Sequence, residues 1–163
     1  MAPGSTVIAP RGPWAAGDGF SWFDHDTDDL RPVLAVIDDA IESVSASPAP
    51  PTILVASSQG AAVALAAALR PPPRPHLTAV VAFAGFLPEP DALRLDRDAA
   101  DDRPAVWLWS GEDDVVVPPM RVRSAARVLE RHGLAVTVAN GSGGHVVSEN
   151  AVAAARDWLA GLL

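Results

Sequence analysis

The stretch ILVASSQGAAVALAAAL, Ile53–Leu69, runs from an apolar, β-branched segment directly into an alanine-rich segment with helical character. Two adjacent serines and a glycine stand at the join. A strand that turns so quickly into a helix is typical of a parallel α/β sheet, in which ligand sites lie at the carboxyl ends of the strands. The stretch therefore indicates the fold class, and it raises the question of whether the join holds a nucleophile or only a tight turn.

The sizes of the flanking residues distinguish the two serines. A nucleophilic serine on a sharp strand-to-helix turn needs a small residue two positions before it and another two after it, because larger side chains collide with neighbouring elements. For Ser58 these two residues are Ala56 and Gly60, which are both small. For Ser57 the corresponding residues are a valine and a glutamine, which are both larger. The following helix would also place its positive N-terminal end beneath a developing negative charge. We therefore predict Ser58 as the nucleophile.

The rest of the chain alternates between strand-like and helix-like patterns. The predicted strands are Thr6–Pro10, Thr52–Ser57, Leu77–Phe86, Ala105–Gly111 and Ala135–Asn140. The predicted helices cover residues 30–44, with Asp28 or Asp29 as cap, residues 59–69, residues 118–133, and residues 148–163, with Ser148 as cap. This order predicts one domain over residues 1–163, built on a doubly wound, mostly parallel α/β sheet.

Composition restricts the classes of function. The 163 residues include no cysteine, which excludes disulfides, thiolate metal sites and a cysteine nucleophile. The net charge of −8 argues against nucleic acid or an anionic membrane as partner. No apolar run approaches the roughly 18 residues that cross a bilayer, and the N-terminus has no export signal pattern. We expect a cytoplasmic protein without a membrane span.

A serine nucleophile needs a histidine as base and an acid that orients the histidine, and in α/β-hydrolases these follow later strands in the order serine, acid, histidine. Three acids, Glu112, Asp113 and Asp114, follow the fourth predicted strand, and spacing alone leaves the choice among them open. His145 follows the fifth strand after a glycine-rich loop. The other histidines lie in an acidic loop, at a strand start and at a helix end: His25, His76 and His132.

The segments VIAPRGP, WFD, ASSQGA, AGFLP, SGEDDVVVP and GGHVVS together resemble the phospholipase/carboxylesterase family of α/β-hydrolases, which includes acyl-protein thioesterase-like enzymes. The match covers almost the whole chain in order. The resemblance implies that Ser58 is the nucleophile, that His145 is the base and that Asp114, four residues before Pro118, is the acid. It further implies a serine esterase or thioesterase that acts on small to medium acyl substrates without a cofactor or metal.

The chain departs from the family pattern in two places. Ser110-Gly111 stands where the family usually has His-Gly. Family members also carry further strands before the VIAPRGP segment, with an H-G-x-G-type loop that supplies one of two oxyanion donors. The resemblance therefore predicts an N-terminally shortened α/β-hydrolase fold, in which the backbone N–H of Gln59 is one donor. If the TVIAP and TILVAS strands pair directly, we expect the N–H groups of Arg11 or Gly12 to be candidates for the second donor.

Four aromatic residues are expected near the strand ends. Trp14, Trp22, Phe23 and Phe86 are candidates for an apolar substrate pocket, although such residues more often pack onto the core. The acidic segment DHDTDD, Asp24–Asp29, lacks a second histidine, and we predict no metal site there.

A strand that the family places between TVIAP and TILVAS is missing from the pattern. Either these two segments pair directly, or an exposed sheet edge remains, which predicts a possible homodimer through that edge. The alternative to an ester hydrolase is a catalytically weak or inactive hydrolase-like domain that binds a ligand or a protein.

Overall fold

The structure, a computed structural model, describes residues 5–24, 30–43, 51–70, 77–88 and 103–163. The elements, in chain order, are β1 (Trp14–Ala16), β2 (Gly19–Ser21), α1 (Arg31–Ser43), β3 (Thr52–Ser57), α2 (Ser58–Leu69), β4 (Leu77–Phe83), β5 (Ala105–Gly111), α3 (Pro119–Arg131), β6 (Val136–Gly141) and α4 (Glu149–Leu162). β1 and β2 form an antiparallel hairpin, and β3 to β6 form a parallel sheet in the order β3-β4-β5-β6. The predicted α/β fold class is confirmed.

The two central strands are buried on both faces, which explains their continuous apolar sequences. In β4, Val80 and Ala82 pack into the larger hydrophobic cluster together with residues of α1, α2 and α3. Val81 and Phe83 point to the other face, where the smaller cluster includes α4 residues. Helices therefore cover both faces of the sheet, as a doubly wound arrangement requires.

The helix α2 is the most deeply buried helix of the described residues. All of its residues from Ala61 to Leu69 are buried, and it packs against α1, β3 and β4. A helix that is apolar all round has no face to offer to water, so it fits only between other elements. This burial fixes the N-terminal end of α2, and with it Ser58, relative to the sheet.

The predicted first strand at Thr6–Pro10 is wrong. These residues form no regular structure, and the side chains of Val7 and Ile8 are 62% and 44% exposed. A β-branched pattern forms a strand only where a partner strand accepts its hydrogen bonds, and none of the described strands lies beside this segment. Pro10 also lacks the N–H that a ladder needs.

The hairpin formed by β1 and β2 takes the place of the expected loop. A two-residue turn, Gly17–Asp18, joins the strands, and Gly17 has a φ of 56°, which favours glycine. Gly12 packs so closely against β2 that a Cβ atom at this position would lie 2.4 Å from the carbonyl oxygen of Ser21. The N-terminal segment is therefore held close to the hairpin.

Strand β4 ends at Phe83 and not at Phe86 as predicted. Ala84 has a φ of 49°, a left-handed conformation that stops the strand, and its N–H donates to the carbonyl of Trp109 at 2.8 Å. The prediction that Ser148 caps the last helix is confirmed, since its hydroxyl accepts a hydrogen bond from the N–H of Ala151 in α4 at 3.2 Å. The predicted caps Asp28 and Asp29 lie outside the described residues.

Strand β3 lies at the edge of the sheet. Among the described strands it pairs with β4 alone, and Val55 on β3 is 65% exposed. Direct pairing of β3 with Thr6–Pro10 is therefore not observed. Across the described part of the chain, no helix combines the length and the apolar character needed to cross a bilayer.

Candidate active site

Ser58 stands at the turn between β3 and α2, in a conformation that is unusual for serine. Its φ is 53°, in the left-handed region, which costs roughly 1–2 kcal/mol for a residue with a side chain. A Cβ atom at Gly60 would lie 3.8 Å from the Cβ of Ala56 and 3.2 Å from the indole Nε1 of Trp22. The predicted steric demand for small residues on either side of Ser58 is therefore visible in the packing.

The structure brings the side chains of Ser58, His145 and Asp114 together. The Nε2 atom of His145 lies 2.9 Å from the Oγ of Ser58, and its Nδ1 lies 2.8 Å from the Oδ2 of Asp114. An ionised carboxylate only accepts hydrogen bonds, so the neutral imidazole carries its proton on Nδ1. Nε2 is then an acceptor that faces the serine hydroxyl.

Asp114 is buried, with 3% of its surface exposed. Its Oδ1 accepts hydrogen bonds from the backbone N–H groups of Val116, at 2.9 Å, and Val117, at 2.8 Å. Burial, the largest influence, raises the pKa of Asp114, but the hydrogen bonds from His145, Val117 and Val116, with the charge of His145, together leave the pKa below its usual value. The carboxylate is therefore held ionised beside the imidazole.

The loops that carry Asp114 and His145 are joined through their main chains. The N–H of Glu112 donates to the carbonyl of Gly141 at 2.8 Å, and the N–H of Asp113 donates to the carbonyl of Gly143 at 3.0 Å. A Cβ atom at Gly111 would lie 2.4 Å from the Gly143 oxygen. Only a glycine at the end of β5 permits this approach.

The three candidate acids have different surroundings. Glu112 is exposed, and its Oε1 accepts from the Nδ2 of Asn140 at 3.0 Å. Asp113 is also exposed, and Asp114 is the acid whose carboxylate contacts His145. The sequence alone left this choice open, because only the folded turn shows which carboxylate points inward.

Of the remaining histidines, the structure describes His132. The Nδ1 of His132 lies 2.8 Å from the carbonyl of Val128, at the C-terminal end of α3, where the sequence predicted a helix-end role. His25 and His76 lie outside the described residues, as does the acidic segment after Asp24.

The two predicted sources of oxyanion donors differ in position. Gln59 follows Ser58 in the first turn of α2, where backbone N–H groups have no intrahelical acceptor. Arg11 stacks its guanidinium 4.3 Å from the ring centre of Phe20 on the hairpin, and Gly12 packs against β2. Within the described residues, no hydrogen bond links Arg11 or Gly12 to Ser58.

The four predicted pocket aromatics differ in burial, and Trp14, on β1, is 38% exposed. Phe23 is 0% exposed and Phe86 is 6% exposed, and their rings meet edge to face at 6.5 Å. Both pack in the larger hydrophobic cluster and offer almost no surface to a substrate, so the pocket prediction is corrected for these two residues. Trp22 is half-buried and lies beside Gly60, two residues after Ser58.

A set of exposed apolar side chains near the three polar residues was missed in the sequence. Valines directly follow both Asp114 and His145, and a methionine stands in the first turn of α3. Their exposed fractions are 88% for Val115, 59% for Val116, 75% for Met120, 66% for Val146 and 42% for Val147. The runs VVV and VV, which directly follow the predicted acid and base, were the sequence signal from which this exposed apolar set could have been predicted.

The family assignment agrees with this geometry. Residues 10–155 match the profile of the family described as "Serine hydrolase (FSH1)". The chain belongs to this serine hydrolase family. The match includes Ser58, Asp114 and His145, and the resemblance to α/β-hydrolases expected from the sequence is confirmed.

The chain is also similar to several solved structures. The chain is similar to esterase PE8, with 28% identity and a TM-score of 0.79 over 96% of this chain and 78% of that one. A Bacillus cereus carboxylesterase, 17% identical, has a TM-score of 0.78 over 94% of this chain and 74% of that one. The Zea mays acyl-protein thioesterase 2, 20% identical, has a TM-score of 0.67 over 90% and 68%. The last two show the fold alone. No curated protein sequence gives a significant match.

Proposed function

We propose that the protein is a serine esterase or thioesterase that hydrolyses small to medium acyl substrates through an acyl-enzyme. One observation carries the proposal: the imidazole of His145 bridges the hydroxyl of Ser58, at 2.9 Å, and the buried carboxylate of Asp114, at 2.8 Å. A serine hydroxyl is inert without such a base, and the base is ineffective without a partner that holds its tautomer.

In the proposed first half-reaction, His145 Nε2 takes the hydroxyl proton while Ser58 Oγ attacks the carbonyl carbon. The tetrahedral intermediate collapses when the imidazolium returns that proton to the leaving alcohol or thiol, and an ester to Ser58 remains. In the second half-reaction His145 removes a proton from water, which attacks the acyl-enzyme, and then protonates Ser58 Oγ as the acid departs. Asp114 orients the imidazole and stabilises its positive charge throughout.

The negative charge of the tetrahedral intermediate needs donors. The backbone N–H of Gln59 is the first donor that we propose, because Gln59 directly follows Ser58 in the first turn of α2. The N–H groups of Arg11 and Gly12 were expected as the second donor if Thr6–Pro10 paired directly with β3, and they lose that support because no such pairing is observed among the described strands.

The acyl part of the substrate is proposed to be apolar. Exposed apolar side chains directly follow Asp114 and His145, and contact with water there is unfavourable unless a substrate covers them. The similarity to esterase PE8 supports an ester as the substrate. No step of this reaction needs a cofactor or metal.

A fluorophosphonate probe tests the proposal, because it reacts only with an activated serine. We expect the wild type to be labelled and Ser58→Ala to lose both labelling and ester hydrolysis. Ser57→Ala is the matched control, since Ser57 is exposed and its side chain makes no capping hydrogen bond. A folded wild type that is not labelled would contradict the proposal and favour the inactive binding domain.

We also propose a cytoplasmic location and self-association through the free edge of β3. The exposure of Val55 and the absence of a second partner strand among the described residues support the association.

A further inference from the structure

The side-chain amide of Gln59 joins the start of α2 to the segment that follows the hairpin. Its Oε1 accepts a hydrogen bond from the backbone N–H of Trp22 at 2.8 Å and lies 3.0 Å from the hydroxyl of Ser21. Its Nε2 donates to the carbonyl of Phe23 at 2.9 Å. A reversed amide would set its NH₂ group against the Trp22 N–H and its oxygen against the Phe23 carbonyl. These contacts therefore select one orientation of the amide.

The segment that the amide contacts is anchored in the core. The Phe23 side chain is 0% exposed and packs in the larger hydrophobic cluster with residues of α1 and α2. Its ring meets that of Phe86 edge to face at 6.5 Å. Ser21 adds a contact within the segment, because its hydroxyl lies 2.7 Å from the Phe23 carbonyl. Residues 21–23 therefore give the Gln59 amide a fixed support.

Ser58 lies between two restraints on the backbone. On the strand side, its neighbour Ser57 is extended and pairs with Phe83 of β4. On the helix side, its neighbour Gln59 is held by the amide contacts, before the buried part of α2 begins at Ala61. A serine with a φ of 53° is strained, and such a conformation persists only where the surroundings hold the chain. The amide contacts supply that restraint on the helix side.

We propose that the Gln59 side chain is a positioning residue, which holds Ser58 in the left-handed conformation that directs its Oγ toward the Nε2 of His145. The inference rests on the proposed function of Ser58 as nucleophile. The two atoms lie 2.9 Å apart, and a displacement of about 1 Å at a reacting group can lower the rate about 100-fold. The segment 21–23 then belongs to the framework of the active site, because it supports the amide.

The test is Gln59→Met, which keeps the length of the side chain and removes the amide. The backbone N–H at position 59 remains, so the proposed oxyanion donor is retained. We measure hydrolysis of p-nitrophenyl acetate per active site, counted by titration with a fluorophosphonate. We expect kcat to fall about 10- to 100-fold and KM to stay within about twofold, because the change affects the alignment of Ser58 and not the binding of the ester.

Arg70→Met is the matched control, because it also removes a polar contact between α2 and another part of the chain. The Arg70 guanidinium, directly after the last residue of α2, lies 2.8 Å from the carboxylate of Asp38 on α1. We expect Arg70→Met to keep the wild-type kcat, since this contact lies at the opposite end of α2 from Ser58. A Gln59 side chain that only stabilised the fold would lower the urea midpoint of Gln59→Met and leave kcat per active site unchanged.

Two results would overturn the inference. One is a folded Gln59→Met enzyme whose kcat stays within about twofold of wild type, and the other is an Arg70→Met enzyme whose kcat falls as far as that of Gln59→Met. Labelling decides the proposed function separately: if the wild type is labelled at Ser58 while Gln59→Met retains its kcat, only the positioning role fails. Should Gln59→Met not fold, Gln59→Asn takes its place. Its amide is one methylene too short to contact residues 22 and 23 together, and the same loss of kcat is expected.

Discussion

The Nε2 atom of His145 lies 2.9 Å from the Oγ atom of Ser58, although 87 positions separate the two residues in the chain. Parallel pairing explains the contact. Because β3, β4, β5 and β6 run in the same direction, their carboxyl ends meet at one edge of the sheet, and each of the three polar residues follows a strand that ends there.

The role of the acid is tested by Asp114→Asn. A carboxamide can present its N–H₂ group to His145 and favour the wrong imidazole tautomer, and this change in a serine protease lowers turnover about 10⁴-fold. We expect a loss of about 10³- to 10⁴-fold in kcat with little change in KM. Asp113→Asn is the matched control, because Asp113 is exposed and adjacent, and it retains nearly wild-type kinetics. Equal losses in both variants would contradict the assignment.

The pKa of Asp114 predicts how stability depends on pH. Because the folded state lowers this pKa, the unfolded state binds the proton more readily, and acid favours unfolding. The stabilisation is complete above the ordinary carboxyl pKa, near 3.9, and is lost as pH falls below it through the folded value. Urea unfolding between pH 7 and pH 3 should show a steeper loss of stability for wild type than for Asp114→Asn. Parallel pH profiles would contradict this prediction.

The contact between the two loops is tested by Gly111→Ala. The added Cβ would lie 2.4 Å from one backbone oxygen, of Gly143, and 2.5 Å from another, of Gly144, so the backbone must move. We expect a loss of about 1–3 kcal/mol in the free energy of unfolding, together with lower turnover. Gly161→Ala is the control, because nothing lies within 4 Å of its Cβ position on α4 and alanine favours helix. It should be neutral or stabilising in thermal melts.

The exposed valines are tested with p-nitrophenyl esters of two to eight acyl carbons. Val115→Ser and Val146→Ser should lower kcat/KM for the longer chains about three- to tenfold and leave the acetyl ester almost unchanged, since each buried methylene is worth about 0.8 kcal/mol. Val138→Ser on β6, a position that is 44% exposed, is the control and leaves the chain-length profile unchanged. A uniform loss for all esters would argue against acyl contact.

The free edge of β3 predicts self-association that depends on concentration. Val55→Lys places a charge beside the unpaired edge, which opposes strand addition, so sedimentation should show a shift toward monomer. Val152→Lys, at a position that is 41% exposed on α4, is the control and leaves the distribution unchanged. A wild type that stays monomeric at all accessible concentrations would contradict the proposed dimer.

The sequence predicted the parts of the fold that depend on local pattern. Steric size around Ser58 and the strand-to-helix change are short-range features, and the structure contains both. The strand expected at Thr6–Pro10 failed because a strand also needs a partner, which no local pattern reports. The hairpin was missed although Gly17–Asp18 between two short apolar runs was an available turn signal.

Tertiary contacts explain the rest of what the sequence did not show. The hydrogen bonds of the Gln59 amide reach residues 36, 37 and 38 positions earlier, so no spacing rule finds them. The end of β4 at Ala84 is similar, because a left-handed alanine has no sequence signature. The burial of Phe23 and Phe86 follows from packing against helices that are distant in the chain.

The main-chain contact between Gly111 and Gly143 has a mechanical consequence. Asp114 and His145 lie on one contiguous stretch, residues 105–163, whose two loops are locked backbone to backbone, whereas Ser58 belongs to a separate part of the sheet. These contacts fix the acid and the base relative to each other, whereas Ser58 is attached to them only through the sheet and its hydrogen bond to His145. A displacement that lengthens the distance between Ser58 and His145 would therefore disconnect the hydroxyl and leave the hydrogen bond between His145 and Asp114 in place.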